Sequence, residues 1–208
     1  YELTLSDVQL NTFCMNWGTV PNTLLAAFAN PGAANSMHAF LTLITSQFIH
    51  GGWAHILGNM LFLYIFGDDI EDTLGSGLYL VFYLVCGVAA GLAQTFVLAH
   101  MMDSLDVPSI GASGAIAGVL GAYLILYPDR RITVLGPLGG LGTVSALVVI
   151  GLWFAEQLVA GLGALTPEAG DSIAYWAHVG GFVSGIILIL PFKDRVYRQP
   201  KGIPPIWE

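Results

Sequence analysis

Apolar residues in this chain gather into five long blocks. The first covers 53–66 and extends back through 40–49. The second, 78–99, has Gln94 as its only strongly polar side chain. The third, 113–127, stops at Pro128; the fourth, 141–165, carries Glu156 and Gln157; the fifth, 173–190, stops at Pro191. About 20 apolar residues in a helix cross a hydrocarbon core of about 30 Å. Strict alternation is absent, which argues against a membrane barrel, and helices are the remaining way to satisfy a backbone in lipid. The pattern therefore predicts an all-α, polytopic membrane helical bundle with five visible spans. Residues 1–39 read differently. Pro21, Asn30, Pro31 and Gly32 interrupt them, and the apolar run 24–29 is too short to span, so short interfacial helices are expected. The connections are short. The one at 67–77 holds Asp68, Asp69, Glu71 and Asp72, expected as a solvated turn and helix cap, while 101–110 and 166–172 are polar with proline.

Composition agrees with a membrane protein. Of 208 residues, 55% are hydrophobic and 10% charged, against about a quarter charged in an ordinary soluble domain. Mean hydropathy is +0.73. The length suits one bundle rather than two domains. The net charge is -8, and no basic patch of the kind nucleic acid requires is present. Cys14 and Cys86 lie far apart and read as free thiols. No C-x-x-C or His/Cys cluster suggests a metal, and nothing calls for a cofactor.

The basic residues orient the bundle. All six are Arg130, Arg131, Lys193, Arg195, Arg198 and Lys201. Two spans separate the first pair from the last four, so both groups fall on one side, which the positive-inside rule makes cytoplasmic. The loops 101–110 and 166–172, which lack Lys and Arg, are then external. Depth follows from the helical rise. Ser113 stands about 24 Å from Asp129, His178 about 20 Å from Pro191 and His55 about 20 Å from Asp68. All three polar residues fall in the outer half of the membrane, below its external surface. Polar groups inside a bilayer are expensive and therefore candidates for function.

Their chemistry is that of acyl transfer. A serine hydroxyl needs a base to take its proton, and His178 is the base available to Ser113. A tetrahedral intermediate needs donors aimed at its oxyanion. His55 and Asn59, four apart, share one helix face, and the backbone N–H groups of Ser113 and Ala112 lie at a helix start, where such groups have no intrahelical acceptor. No carboxylate is placed as a third member: Glu168 and Asp171 fall in an external loop and Glu156 on another helix. The reading is a Ser–His dyad with His178 oriented by packing. Gly114, Gly118 and Gly121 line one side of the Ser113 helix; Gly181 and Gly185 follow His178 on its own face. Small residues four apart let membrane helices approach closely.

These residues carry a resemblance. The segments HGGWAHILGNM with His50, His55 and Asn59, GASGAIAG with Gly111, Ser113 and Gly114, and AHVGGFVSG with His178, Gly181 and Gly185 resemble the rhomboid family of intramembrane serine proteases, in the family's order and across about residues 38–192. The resemblance implies Ser113 as nucleophile, His178 as base, His55 and Asn59 at the oxyanion site, His50 as a supporting residue, and no metal or cofactor. It also implies six spans where five are visible, so the first is expected to precede residue 1. The aromatic residue that often supports the histidine from four positions after the serine is here Ala117.

The expected organisation is an external loop with interfacial helices at 1–39, a rhomboid-like membrane catalytic core at 40–192, and a cytoplasmic basic and proline-containing tail at 193–208. The expected activity is an endopeptidase cutting transmembrane protein substrates near the outer leaflet of the lipid bilayer, in a bacterial plasma membrane. The alternative is a catalytically silent, rhomboid-like protein that binds membrane segments. Glu156 and Gln157 read as interhelical hydrogen-bonding residues ahead of substrate contacts, and Trp153 and Phe154 as packing or lipid-facing residues ahead of a lateral gate. His38 and His100 read as structural.

Overall fold

Ten consecutive residues, Gly114 to Tyr123, are buried in one helix, and the other helices are arranged around it. The computed structural model describes residues 4–101, 105–135, 140–165 and 174–196. Three short helices come first: α1 (Asp7–Trp17), α2 (Pro21–Ala29) and α3 (Ser36–Thr45), the last followed by a 3-10 turn at Ser46–Phe48. Long helices α4 (Trp53–Leu74) and α5 (Ser76–Met101) meet at Gly75, whose φ of 81° permits the reversal. The central helix is α6 (Ser113–Leu126). A hairpin of β1 (Arg131–Leu135) and β2 (Leu141–Ser145) leads into α7 (Ala146–Gly163), then α8 (Tyr175–Ile189) and the short α9 (Lys193–Val196). The helix α6 packs chiefly on α8, then on α5 and α4.

Among the described residues, three helical stretches are long and apolar enough to cross a membrane: Ser76–Met101, Ala146–Gly163 and Tyr175–Arg195. The stretch Ser113–Leu126 is a shorter apolar helix, about 21 Å at the helical rise. At 22 residues, α4 has the length, but its last two turns carry Asp68, Asp69, Glu71 and Asp72.

Several boundaries differ from expectation for physical reasons. The block 40–66 is not one helix, because the backbone leaves the helix after Phe48 and re-enters at Trp53. The acidic cluster is not a solvated turn. It lies within α4, where Asp69 accepts a 2.8 Å hydrogen bond from the Tyr123 hydroxyl and pairs with Arg130 at 3.0 Å. Thr73 and Tyr127 join hydroxyls there at 2.7 Å. The fourth apolar block does not begin as a helix. Ile132, Thr133 and Val134 pair with Val144, Thr143 and Gly142 in an antiparallel ladder, since β-branched residues fit a pleated surface better than a helix. The expected boundary at residue 39 falls inside α3. Glu168, Asp171 and the whole loop 166–172 lie outside the described residues, as do Arg198, Lys201 and the tail from residue 197.

Two contacts fix the relative direction of the helices. Arg130, beyond the end of α6, pairs with Asp69 near the end of α4. Arg195, beyond α8, donates to the Thr73 and Leu74 carbonyls at 3.5 and 3.4 Å. The C-terminal ends of α4, α6 and α8 thus meet on one side of the bundle, which leaves their N-terminal ends together on the other. His55, Ser113 and His178 each lie in the first turn or so of those three helices.

Candidate active site

The Ser113 helix starts where the preceding backbone is pinned. Gly111 donates its N–H to the Ser46 carbonyl at 2.9 Å, and Ser109 pairs with Thr19 through two backbone bonds of 3.0 and 2.8 Å. Gly111 has a φ of 120°, a conformation that side chains rarely adopt. A Cβ there would lie 2.6 Å from His55 Nε2 and 3.7 Å from Ser113 Oγ, so both groups crowd the same point of backbone. Ala112 is the N-cap and Ser113 the first residue of α6. Their N–H groups are among those a helix start leaves without an intrahelical acceptor.

His178 comes from α8. Its Nε2 is 2.8 Å from Ser113 Oγ. Glycines set that distance. A Cβ on Gly181 would overlap the Gly114 carbonyl oxygen, and one on Gly185 would overlap that of Gly118, so α6 and α8 touch backbone to backbone. Gly121 meets the Phe182 carbonyl in the same way. The first turn of α8 is tied to α5 as well, since Ala177 N–H donates to the buried Gln94 side chain at 3.0 Å.

Packing alone does not orient His178, contrary to expectation. Its Nδ1 lies 2.6 Å from Gln157 Oε1 on α7, and Gln157 in turn donates its amide N–H to the Glu156 carboxylate. Gln157 is 5% exposed. The polar pair at 156–157 in an apolar helix signalled an interhelical bond; the partner could be named only once α7 and α8 were placed side by side. An aromatic ring does stand against the histidine, but it comes from α7 rather than from the position of Ala117. The Trp153 ring is centred 5.8 Å from His178, and Phe154 stacks on Phe182 at 4.1 Å. Ala117 is buried and lies where a Cβ on Gly181 would meet it at 3.4 Å.

The third group comes from α4. Gly51 N–H donates to His55 Nδ1 at 3.3 Å, which places the proton of a neutral ring on Nε2, the atom beside Gly111 and Ser113. His50 is buried and its ring stands edge-on to His55 at 5.0 Å. Asn59, one turn after His55, is 8% exposed, and its Nδ2 has no hydrogen-bond partner among the described residues. A buried, unpaired amide donor costs about 1–3 kcal/mol. The elements therefore bring Ser113, His178, His55 and Asn59 toward one end of the bundle. His38 and His100 stay apart, bonded to the Asn16 and Phe96 carbonyls at 2.7 and 2.8 Å.

Residues 37–195 match the model of the Rhomboid domain. "Rhomboid protease GluP" of Bacillus subtilis is 30% identical over 82% of this chain, which corresponds to 30% of that protein. "Putative rhomboid protease YdcA" of the same bacterium is 32% identical over 81% of this chain and 75% of its own length. "Rhomboid-like protein 11, chloroplastic" of Arabidopsis thaliana is 32% identical over 73% of this chain and 52% of its own. This chain thus spans about half, or less, of the first and third of these relatives. Named relatives divide among a bacterium, chloroplasts and mitochondria, so kinship assigns a membrane protein without assigning the membrane. With a match across 37–195 and a polytopic helical bundle to accompany it, the chain belongs to the rhomboid family.

Proposed function

We propose that this chain is an intramembrane serine endopeptidase acting through a Ser113–His178 dyad on transmembrane protein substrates. The observation that carries the reading is the 2.8 Å approach of His178 Nε2 to Ser113 Oγ at the first residue of a buried helix. Two relatives named as rhomboid proteases support it. Ser113 donates its proton to Nε2 as its oxygen attacks the scissile carbonyl. The resulting oxyanion takes hydrogen bonds from His55 Nε2–H, Asn59 Nδ2–H and the Ser113 and Ala112 N–H groups, donors held in place before charge develops. His178 then returns the proton to the leaving amine, and water hydrolyses the acyl-enzyme. His50 supports His55, while Gly111, Gly114, Gly181 and Gly185 keep the two backbones close enough for the pair to meet.

The substrate reading follows from depth. A site near the outer side of the bilayer would meet a membrane segment at its juxtamembrane end, and a helix hides its carbonyls in hydrogen bonds. Segments weakened by Gly or Pro should unwind and be cut first. Within this reading, 1–39 is an external segment, 40–192 the catalytic core and 193–208 a cytoplasmic tail, in a bacterial plasma membrane. A silent, segment-binding protein would have no use for a serine and histidine at hydrogen-bonding distance.

The test is labelling by a fluorophosphonate together with cleavage of a model membrane substrate. The parent should label and cleave; Ser113→Ala should do neither while keeping its fold, and His178→Ala should cleave no substrate. Cleavage by a well-folded Ser113→Ala protein would falsify the assignment.

A further inference from the structure

We propose that Gln157 is a positioning residue that holds His178 in the tautomer the reaction needs, and that Glu156 in turn sets which way the Gln157 amide points. This rests on the reading of Ser113 as nucleophile and His178 as base. A neutral imidazole has one N–H and one bare nitrogen. To take a proton from Ser113, Nε2 must be bare, so the proton must sit on Nδ1. The group facing Nδ1 is an amide, whose two ends have opposite character. With Oε1 toward the ring, as found at 2.6 Å, Nδ1–H donates and Nε2 accepts. With the NH2 end toward the ring, Nδ1 would accept, the proton would move to Nε2, and His178 would donate to Ser113 instead of receiving from it.

What decides between the two ends stands on the far side of the amide. Gln157 Nε2 donates to the Glu156 carboxylate. A carboxylate oxygen accepts that bond, so it holds the NH2 end and leaves Oε1 for the histidine. Gln157 is 5% exposed, which leaves little water to satisfy a reversed amide. The chain of bonds therefore runs Glu156, Gln157, His178, Ser113, each donor to its acceptor in one sense only. When His178 takes the serine proton, the imidazolium Nδ1–H faces an amide oxygen whose dipole is aligned by the carboxylate behind it, and linked bonds of this kind polarise one another. The bland alternative is that Gln157 only joins α7 to α8, as polar side chains do in membrane bundles. The two differ in what they change: glue alters stability, whereas positioning alters turnover and the site of the histidine proton.

The experiment combines steady-state cleavage of a transmembrane substrate in proteoliposomes with 15N NMR of the histidine side chains, His178 being assigned by its loss in His178→Ala. Gln157→Leu should lower kcat about tenfold to a hundredfold, the effect of leaving one buried donor unpaired, with KM unchanged. The His178 signals should pass from the Nδ1–H form to a mixture of tautomers. Glu156→Ala, at an exposed position where folding is not at issue, should move both readouts in the same direction by a smaller factor. The exchanged double variant, Glu156→Gln with Gln157→Glu, returns an acceptor to Nδ1 and an amide donor behind it, and should recover most of the kcat lost in Gln157→Leu. An unchanged kcat and tautomer in both single variants overturns the proposal. So does a loss of thermal stability in Gln157→Leu with the parent tautomer retained, which would make Gln157 a joint only. A parent that shows the Nδ1–H form, loses it in Gln157→Leu, yet still cleaves as Ser113→Ala would instead overturn the reading of the nucleophile.

Discussion

Gly181 lies so close to Gly114 that a Cβ on the one would overlap the carbonyl oxygen of the other. The contact stands within one turn of both Ser113 and His178, because Gly114 follows Ser113 and Gly181 is three residues after His178. Backbone cannot yield as a flexible side chain does. Gly181→Val should force α8 away from α6 and separate the pair, and a displacement of about 1 Å can cost 10²-fold in rate. The variant should insert and fold but lose activity and fluorophosphonate labelling. An active Gly181→Val protein with unchanged helix spacing would remove the packing account.

Donor geometry gives a second outcome. Asn59 keeps a buried amide donor without a partner among the described residues, and the Gly51 N–H on His55 Nδ1 leaves the ring proton on the nitrogen facing Gly111. Both should act when charge develops, not when substrate binds. Asn59→Ala and His55→Ala should each lower kcat by about 10²–10³ while changing KM little. The folded Asn59→Ala protein should lose little stability, since the lost donor makes no bond among the described residues. Parental rates in both single variants and in the double variant would mean that these side chains do not serve the transition state.

At the opposite end of the bundle, Asp69 holds Arg130 and Tyr123 together. The two bonds should differ in weight. Arg130 is 46% exposed on its side chain, and exposed ion pairs contribute about 0–1 kcal/mol. Tyr123 is 1% exposed and donates to Asp69 at 2.8 Å. Asp69→Ala leaves that hydroxyl buried without its acceptor, at about 1–3 kcal/mol. Thermal unfolding in detergent should rank Asp69→Ala well below Arg130→Ala, with activity measured at low temperature retained in both. Equal losses would show that the exposed ion pair carries the joint.

Much of this was legible in the residues, because a bilayer imposes simple rules. Apolar runs marked the stretches that form α5, α7 and α8, and the placement of Arg130, Arg131, Lys193 and Arg195 predicts one depth for Ser113, His178 and His55, which lie at one end of the bundle. What stayed hidden depends on distant partners. Asp69 bonds to residues 54 and 61 positions away, so an acidic stretch that reads as a turn is the end of a helix. The ladder of Ile132–Val134 with Gly142–Val144 begins inside an apolar run that reads as helix throughout, since hydropathy does not separate β-branched residues from leucine. Gln157 announced a hydrogen bond but not its partner, because the angle at which α7 faces α8 is set by packing over the whole bundle.

The two ends of the bundle should also differ in access across the membrane. Asn22 and Asp106 join at 3.0 Å on the side of the Thr19–Ser109 pairing, near Ser113. The hairpin lies with Arg130 and Arg131 at the other end. The positive-inside rule predicts that the hairpin side is cytoplasmic. Both positions suit a probe, since Asp106 is exposed and a Cβ on the exposed Gly142 would meet nothing within 4 Å. The two native thiols, Cys14 and Cys86, are buried. In intact cells, a membrane-impermeant maleimide should label Asp106→Cys. Gly142→Cys should react only after the cytoplasmic face is opened, and a control with both native cysteines replaced should give no signal. Labelling of Gly142→Cys from outside, with Asp106→Cys protected, would invert the topology. The serine and histidine would then still meet, but at the cytoplasmic surface, and substrates would have to present their inner juxtamembrane segments.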